Sequence, residues 1–507
     1  MNDYEIKKLY EDMEIYLIQS MKRNLGRHLT EENKVGFKFS QWQAEKLKEL
    51  KRYQRENQKI ISRYTLGLDE EVSEHLQNEL KQGSINAIKQ YNKVLGDDLK
   101  PSKVMNKSFF KTNDKKVNNL IKVVNNDLKT ANTSALRMVN DQYRQIIHKS
   151  AFFVGNGVFT EKQAVDEATK NFLNAGLNCI EYSDGRRVNI ASYSQMAIRT
   201  ASLRTQLMGE GDFRASIGRT LVKVTTHGGA CKLCTGWQGK VLVDDVYSGG
   251  KPDGKHTLLS DAMAQGLLHP NCRHGITTYY PELEEDDEEE EKTSKQPITD
   301  EQSQNLNYIN RNVKRFDRLS TGSLDRDNVK KYSMMKIAWQ NRKPKEYIDI
   351  NDEKVVKYKV NEYEQAIVNK DVENAYVINA LGEVFNFIGN AYSVDIPEWL
   401  NLVGSIITHN HPTNETYYSL SEYDIRLFLS KGVKELRGLD DEYIYYVQRT
   451  KDTIDNIEEL SIDRLKYSHE ALDLSAQGKI DIDKDEYDYI NKKLSNKYKF
   501  TYRRMRR

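Results

Sequence analysis

The chain has 507 residues, 38% of them hydrophobic and 30% charged, with a formal net charge of +2. Such a length accommodates two to four domains, and such a composition is polar yet sufficient for several small cores. The near-neutral total gives no case for nucleic-acid binding by the chain as a whole, and no apolar run approaches the roughly 20 residues that cross a bilayer.

The start, Met1-Asn2-Asp3-Tyr4-Glu5, lacks the basic and apolar regions of a signal peptide, so the protein is expected to be made and first used in the cytosol. Residues 1–150 are predicted to be helical. Leu47, Leu50 and Tyr53 recur at helical spacing, as do Leu76, Leu80, Ile88 and Tyr91, and Leu120, Val124, Leu128, Leu136 and Val139. An amphipathic bundle and an elongated docking arm both satisfy that pattern. Thr160-Glu161-Lys162-Gln163 is a capping box and predicts a helix ending near Gly176. Another helix is expected over about residues 192–208. Residues 220–226 (Thr-Leu-Val-Lys-Val-Thr-Thr) are β-rich. The loop-rich stretch that follows, to Tyr280, cannot bury a large core alone and would benefit from a metal staple.

Residues 282–305 are acidic, then rich in Ser, Thr and Gln, and are expected to form a disordered linker. A helical segment follows to about Asn341. Runs at 354–360, 375–378, 384–388, 403–408 and 443–447 read as strands alternating with helices and predict a compact α/β domain. From Ile454 the chain is expected to be helical and charged. It ends in a basic tail with Lys499, Arg503, Arg504, Arg506 and Arg507, which either grips phosphate or an acidic protein face or is simply solvated. The domain plan is therefore 1–150, 151–281, a linker at 282–305, 306–453, and a tail at 454–507.

Two constellations carry chemistry. Four cysteines occur, Cys179, Cys231, Cys234 and Cys272, and three fall in one short stretch. In a reducing compartment that clustering speaks for metal rather than disulfides. Cys231 and Cys234 can hold one Zn²⁺ from a tight turn, and His269 with Cys272, at the same spacing, completes a tetrahedral set. A closed four-ligand site is structural, because metal binding contributes to folding a loop-rich segment. His227, His256 and His274 lie nearby in sequence, and any of them could replace His269. The run from Gly249 to His256 nearly spells a phosphate-binding loop. His256, however, stands where a Mg²⁺-holding Ser or Thr is needed, and Pro252 lacks a backbone donor, so the run reads as a turn.

The second constellation is His409-Asn410-His411-Pro412 with Ser421 and Asp424. Side chains at i and i+2 on a strand end point the same way, so His409 and His411 can meet one metal. With Asp424 as third ligand, at the start of a helix that Ser421 would cap, one zinc position stays open for water, as in catalytic sites. Glu373, just ahead of the 375–378 strand, is the candidate general base. Glu383, Glu364 and Glu362 are weaker candidates, and Ser421 is a candidate oxyanion donor. The letters His-Asn-His also occur in HNH nucleases, but the spacing of that longer motif is missing here.

Residues 224–230, the run Gly236-Trp237-Gln238-Gly239-Lys240-Val241, and Asn271-Cys272-Arg273-His274 resemble the phage minor capsid protein 2 family. So do the upstream Asp184-Gly185-Arg186-Arg187, Tyr193, Met196 and Arg199-Thr200. The likeness covers about residues 150–281 and, loosely, the N-terminal helices. It implies a structural protein of the virion, made in the host cytoplasm, that meets phage portal and capsid proteins without membrane involvement; packaged DNA is a further candidate partner for the basic tail. The family often replaces the Cys-x-x-Cys pair by other polar residues, so the structural zinc rests on this sequence. The set of Glu373, His-x-His-Pro and Ser-x-x-Asp resembles the JAMM metallopeptidases over about residues 350–450. That likeness implies Glu373 as base, His409, His411 and Asp424 as zinc ligands, and Ser421 as oxyanion helper. Two departures are a longer spacer between Pro412 and Ser421 and a Gly-rich stretch reduced to Leu381-Gly382-Glu383.

The expected fold is thus multidomain: a mainly α N-terminal region, a zinc-stapled α+β central domain and a small α/β JAMM-like C-terminal domain. The expected function is a phage minor capsid, head-morphogenesis protein carrying a JAMM-like zinc metallopeptidase-type domain. Two other readings are a zinc-dependent hydrolase or toxin-like effector delivered with the particle, and a purely structural ion on the histidine pair.

Overall fold

Apolar side chains at three- and four-residue intervals organise the first helix, α1 (Asp3–Val35). Ile6, Tyr10, Met13, Leu17, Met21 and Leu25 form one stripe that is fully withdrawn from water. The computed structural model describes residues 1–35, 39–105, 113–155, 160–226, 231, 233–270, 272–283, 299–412 and 419–507. They fall into two units, Met1–Glu291 with Asn307–Asn341, and Lys292–Leu306 with Arg342–Arg507.

In the first unit α1 is followed by α2 (Phe39–Thr65), α3 (Leu68–Leu95), the short α4 (Pro101–Val104), α5 (Asp114–Gly155), α6 (Glu161–Ala175), the hairpin β1 (Ile180–Glu181) and β2 (Arg187–Val188), and α7 (Ile190–Ser216). Thr160 and Gln163 form the expected capping box on α6, and Gly176 follows its last turn. Tyr53 and Tyr143 stack in the helical core with ring centroids 4.2 Å apart. Where α3 meets α7 the backbones touch. A Cβ on Gly83 would lie 2.1 Å from the Gln206 carbonyl oxygen, and one on Gly209 would lie 1.9 Å from that of Leu80. The Ser84 hydroxyl donates to the Gly209 carbonyl at 2.8 Å across this crossing. Helix α7 outruns its expected end at residue 208. Its last turns bury Phe213 and Arg214, and the Arg214 guanidinium reaches the fully buried Asp244 at 2.9 Å.

A four-stranded sheet follows, ordered β5-β4-β3-β6, from β3 (Leu221–Val224), β4 (Val241–Val243), β5 (Thr257–Leu258) and β6 (Ile276–Thr278), with the short α8 (Leu259–Ala264) after β5. Its small core includes Val222, Val224, Leu242, Leu259 and Ile276 together with Cys234 and Cys272. Most of the expected 282–305 linker lies outside the described residues, but its end is ordered. Thr299 and Gln302 exchange backbone-to-side-chain hydrogen bonds of 2.7 and 3.2 Å and open α9 (Asp300–Gly322). Residues 307–341, expected with the C-terminal domain, belong to the first unit. There Phe316 and Leu319 enter the helical core, the Arg318 guanidinium donates to the carbonyls of Leu173 and Asn174, each at 2.8 Å, and α10 (Arg326–Gln340) follows.

The second unit is built on a seven-stranded sheet, ordered β13-β12-β11-β10-β8-β9-β7. Its elements in chain order are β7 (Glu346–Tyr347), α11 (Glu353–Ile367), β8 (Asn374–Ile378), β9 (Glu383–Ile388), β10 (Ile406–Asn410), α12 (Glu422–Ser430), β11 (Glu435–Leu439), β12 (Tyr443–Gln448), α13 (Leu460–Ala476), α14 (Ile482–Tyr498) and β13 (Thr501–Arg506). Among the described strands of this sheet only β10 and β11 pair in parallel, and α12 lies between them in the chain. Two expectations are corrected here. The run 354–360 is helix, because the Asp352 carboxylate caps the N–H groups of Lys354 and Val355 and Val360, Tyr363, Glu364 and Ile367 are buried at helical spacing. Nor is the basic end a helical tail. Residues 501–506 are an edge strand paired with β12, held by the Tyr502 hydroxyl on Ser419 at 2.9 Å and on Asp488 at 3.0 Å. Among the described residues no helix is long and apolar enough to cross a membrane.

Candidate metal centres

Backbone turns gather the first cluster. The N–H groups of Cys234 and Thr235 both bond the Cys231 carbonyl at 3.0 Å, and the Cys272 N–H bonds that of His269 at 2.9 Å. The ligand atoms of Cys231, Cys234 and His269 lie within 4.8 Å of one another, as do those of Cys234, Cys272 and His274. Cys231 Sγ stands 3.1 Å from His269 Nε2, Cys234 Sγ 3.6 Å from Cys272 Sγ, and Cys272 Sγ 3.5 Å from His274 Nδ1. Tetrahedral bonds of about 2.3 Å to sulfur and about 2.0–2.1 Å to nitrogen separate neighbouring donors by about 3.3–3.8 Å; the 3.5 and 3.6 Å pairs match this, the 3.1 Å pair is slightly closer, and four of these five donors could share one zinc ion. His269 Nδ1 sits 2.9 Å from the Pro270 carbonyl. A carbonyl only accepts, so Nδ1 carries a hydrogen, which leaves Nε2 to bind a metal or, without one, to share a proton with Cys231. Burial and the neighbouring thiols push Cys234 up to about 12. For Cys231, burial acts upward too, but the His269 hydrogen bond and turn amides outweigh it and bring the thiol down to about 7.

Of the alternative histidines, His274 is buried beside Cys272. His256 is instead paired with Asp253 at 2.6 Å, in the turn that the near phosphate-loop sequence forms, and His227 lies outside the described residues.

The second cluster sits at the end of β10. His409 Nε2 and His411 Nε2 are 3.1 Å apart, and His409 Nε2 is 3.3 Å from Asp424 Oδ1. Two imidazole nitrogens facing each other repel if both are bare or both protonated; a cation between them and the carboxylate removes that conflict. Ser421 caps α12 and grips the other Asp424 oxygen, Oδ2, through its N–H and its hydroxyl, both at 2.7 Å. The Ser421 hydroxyl, the candidate oxyanion donor, is thus bonded to the candidate ligand Asp424. Burial acts to raise the Asp424 pKa, but His409, His411 and the Ser421 hydrogen bonds outweigh it and hold the carboxyl below its usual range.

The sheet register brings in Glu373. Ala375 pairs with His409 across β8 and β10, so Glu373, two residues before Ala375, shares its face. Asn410, between the histidines and fully buried, locks this approach. Its Oδ1 accepts the Asn374 N–H at 2.7 Å, and its Nδ2 donates to the carbonyls of Lys370 at 3.3 Å and Val372 at 3.2 Å. Burial raises the Glu373 pKa and Asp424 adds to the shift, against the pull of His409 and the Val394 N–H. Glu373, His409, His411, Ser421 and Asp424 all line one cavity of about 490 Å³. The other glutamates are placed elsewhere: Glu364 pairs with Arg437, Glu383 accepts from Asn379 at 2.8 Å and Asn305 at 2.9 Å, and Glu362 pairs with Lys359 at 3.1 Å.

One position beside the candidate site had no local signal in the sequence. Gly438 on β11 faces the histidines, and a Cβ there would lie 2.9 Å from Leu420 Cδ2, 3.1 Å from His411 Cε1 and 3.2 Å from His411 Nε2. Only the absent side chain leaves room for that imidazole.

Comparison with known proteins gives a consistent picture for the first unit. A family model described as phage minor capsid protein 2 matches residues 3–349. A protein named "Structural protein" from Lactococcus phage LL-H is 26% identical over 141 residues, which are 27% of this chain and 38% of that relative, well under two thirds of its length. No solved structure matches the chain.

Proposed function

The chain belongs to the phage minor capsid protein 2 family and is a structural protein of the virion; on that footing we propose that it joins portal and capsid proteins in the phage head and carries two zinc sites of different kinds. Cys231, Cys234, His269 and Cys272 hold a structural ion that staples the four-stranded sheet. His409, His411 and Asp424 hold a second ion in a JAMM-like hydrolytic centre of the C-terminal unit. Exposed Arg503 and Arg506 on the edge strand, with Arg507 just beyond it, offer contacts to the phosphates of packaged DNA.

The observation that carries the hydrolytic reading is the His409–His411 nitrogen pair at 3.1 Å, open to a cavity that also holds a carboxyl of raised pKa, Glu373. A zinc ion held by these residues would supply Lewis acidity. Glu373 takes a proton from the attacking water and returns it to the leaving nitrogen, a role suited to a carboxyl shifted upward by burial. Ser421 fixes Asp424, and an oxyanion role for its hydroxyl requires it to turn from that carboxylate. The substrate class is an amide, in a peptide or isopeptide bond.

Metal analysis of the purified full chain tests this directly. We expect two zinc ions per chain, one lost in Cys234→Ser and the other in His409→Ala, with Glu373→Gln keeping both ions and losing amide hydrolysis. Comparing His269→Ala with His274→Ala identifies the fourth structural ligand. Unchanged zinc content in His409→Ala would overturn the hydrolytic centre, and absence of the chain from purified heads would overturn the proposed place in the particle.

A further inference from the structure

Helix α13 is apolar on two opposite faces. Leu460 and Ala471 are fully buried within the unit, while Ile462, Leu465 and Leu472 are 67%, 64% and 50% exposed. A helix at the surface of one domain ordinarily shows polar residues on its outer face. The exposed residues have a register. Positions 462, 465, 469, 472 and 476 (Ile, Leu, His, Leu, Ala) follow the 3-4-3-4 spacing of a coiled-coil seam over two heptads. Lys466 and Asp473 flank the seam on one side, seven residues apart and both exposed. Neither has an ion-pair partner among the described residues.

We propose that α13 is a self-association surface on which two copies of this chain pair antiparallel about a two-fold axis. That geometry is selected by the charges. In an antiparallel pair Leu465 packs against Ala476 and His469 against Leu472 of the second copy, and flanking positions of the same kind face one another. Lys466 then lies beside Asp473 of the second copy, and the symmetry axis repeats the pair. In a parallel pair these two positions do not meet. In this register Ile462 lies beyond the end of the partner helix, so two large apolar side chains per copy, Leu465 and Leu472, make a seam far below the roughly 800 Å² per partner of a standard interface, and the isolated association is weak, on the order of 10–500 µM. It also weakens with salt.

Sedimentation equilibrium of the full chain, from a few micromolar to about one millimolar at low salt, tests the proposal. A reversible monomer–dimer equilibrium is expected. Leu465→Glu should abolish it with the circular dichroism spectrum unchanged. Lys466→Glu and Asp473→Lys should each weaken it about three- to tenfold, and the double variant should restore it. A chain that stays monomeric throughout overturns the proposal, as does dimerisation unaffected by Leu465→Glu. A double swap no tighter than either single change overturns the antiparallel pairing. Zinc content is not involved, so failure here leaves the metal sites standing, and the reverse.

Discussion

Replacing Gly438 by Ala should loosen a metal from the His409–His411–Asp424 site while leaving the seven-stranded sheet folded. The backbone there is ordinary strand, so the effect comes from the added carbon alone. It would stand 2.9 Å from Leu420 Cδ2 and 3.1–3.2 Å from two atoms of the His411 ring. The leucine methyl can swing away. The imidazole has less freedom, because the His411 N–H is tied to the Leu439 carbonyl at 2.7 Å and the ring must keep facing His409. The ring therefore gives by a few tenths of an ångström, a sizeable error against a metal–nitrogen bond of about 2.0–2.1 Å. Overpacking of this size costs about 1–3 kcal/mol of stability, and disturbed support of a ligand costs about 10- to 100-fold in metal affinity. Competition with a chromophoric chelator measures the affinity, and a melting curve run in parallel checks the fold. If zinc affinity stays within about twofold of the parent while the fold is intact, the His411 ring is not where the metal binds, and the reasoning from Gly438 fails.

Gly209→Ala should cost at least about 3 kcal/mol, because its Cβ would lie 1.9 Å from the Leu80 carbonyl oxygen and neither backbone can yield without separating the helices; an unchanged urea midpoint would refute the close crossing. Asp212→Asn should stabilise the first unit by about 1–3 kcal/mol above pH 6. Burial pushes the Asp212 carboxyl up to about 6, against a hydrogen bond from Asn113. Its folded pKa thus exceeds its unfolded value, so its favourable contribution is complete below about pH 4 and is lost as pH rises through about 6. Equal effects of the substitution at pH 4 and pH 8 would contradict this. Cys234→Ser, or chelation of the parent, should lower hydrogen-exchange protection in β3, β4 and β6 while leaving α1 and α5 protected; uniform loss throughout the unit would argue against a local staple. Asn410→Leu should keep zinc but expose the Asn374 amide to exchange and cut hydrolysis at least about tenfold; unchanged hydrolysis with a freely exchanging amide would show that Asn410 does not position Glu373.

The two candidate metal-binding clusters were legible in the sequence because many of their members are close together in it. Cys231 and Cys234 share one turn, His409 and His411 one strand end, and Ser421 with Asp424 one capping box, so local spacing already implied the geometry. The α6 helix was legible for the same reason, since Thr160 and Gln163 mark its start within four residues. What escaped depends on distant partners. The run 354–360 alternates like a strand, and only the Asp352 cap and burial of Tyr363 and Ile367 against the sheet decide for helix. The arginines at 503, 504, 506 and 507 hide a strand whose partner, β12, lies more than fifty residues earlier. Phe316 and Leu319 look like any amphipathic stripe until the core that receives them is known. Gly438 carries no local mark, because its meaning is the space it leaves for a histidine twenty-seven residues away.

The alternation of segments between the two units has a consequence for how the chain is made. Residues 292–306 belong with 342–507, whereas 307–341 return to the first unit. On the ribosome the N-terminal unit cannot complete its core until residue 341 has emerged, at about 5–20 residues per second. By then a piece of the second unit has already been synthesised and must wait for β13 before its sheet is full. The same threading governs proteolysis. A single cut in the acidic run at 282–291 would leave Phe316, Arg318 and Leu319 held to the unit they complete only by packing and hydrogen bonds. The second unit is therefore not released whole by one nick at the acidic segment. Its residues 292–306 and 342–507 bracket a segment of the first unit along the chain, and freeing 342–507 needs a cut beyond residue 341.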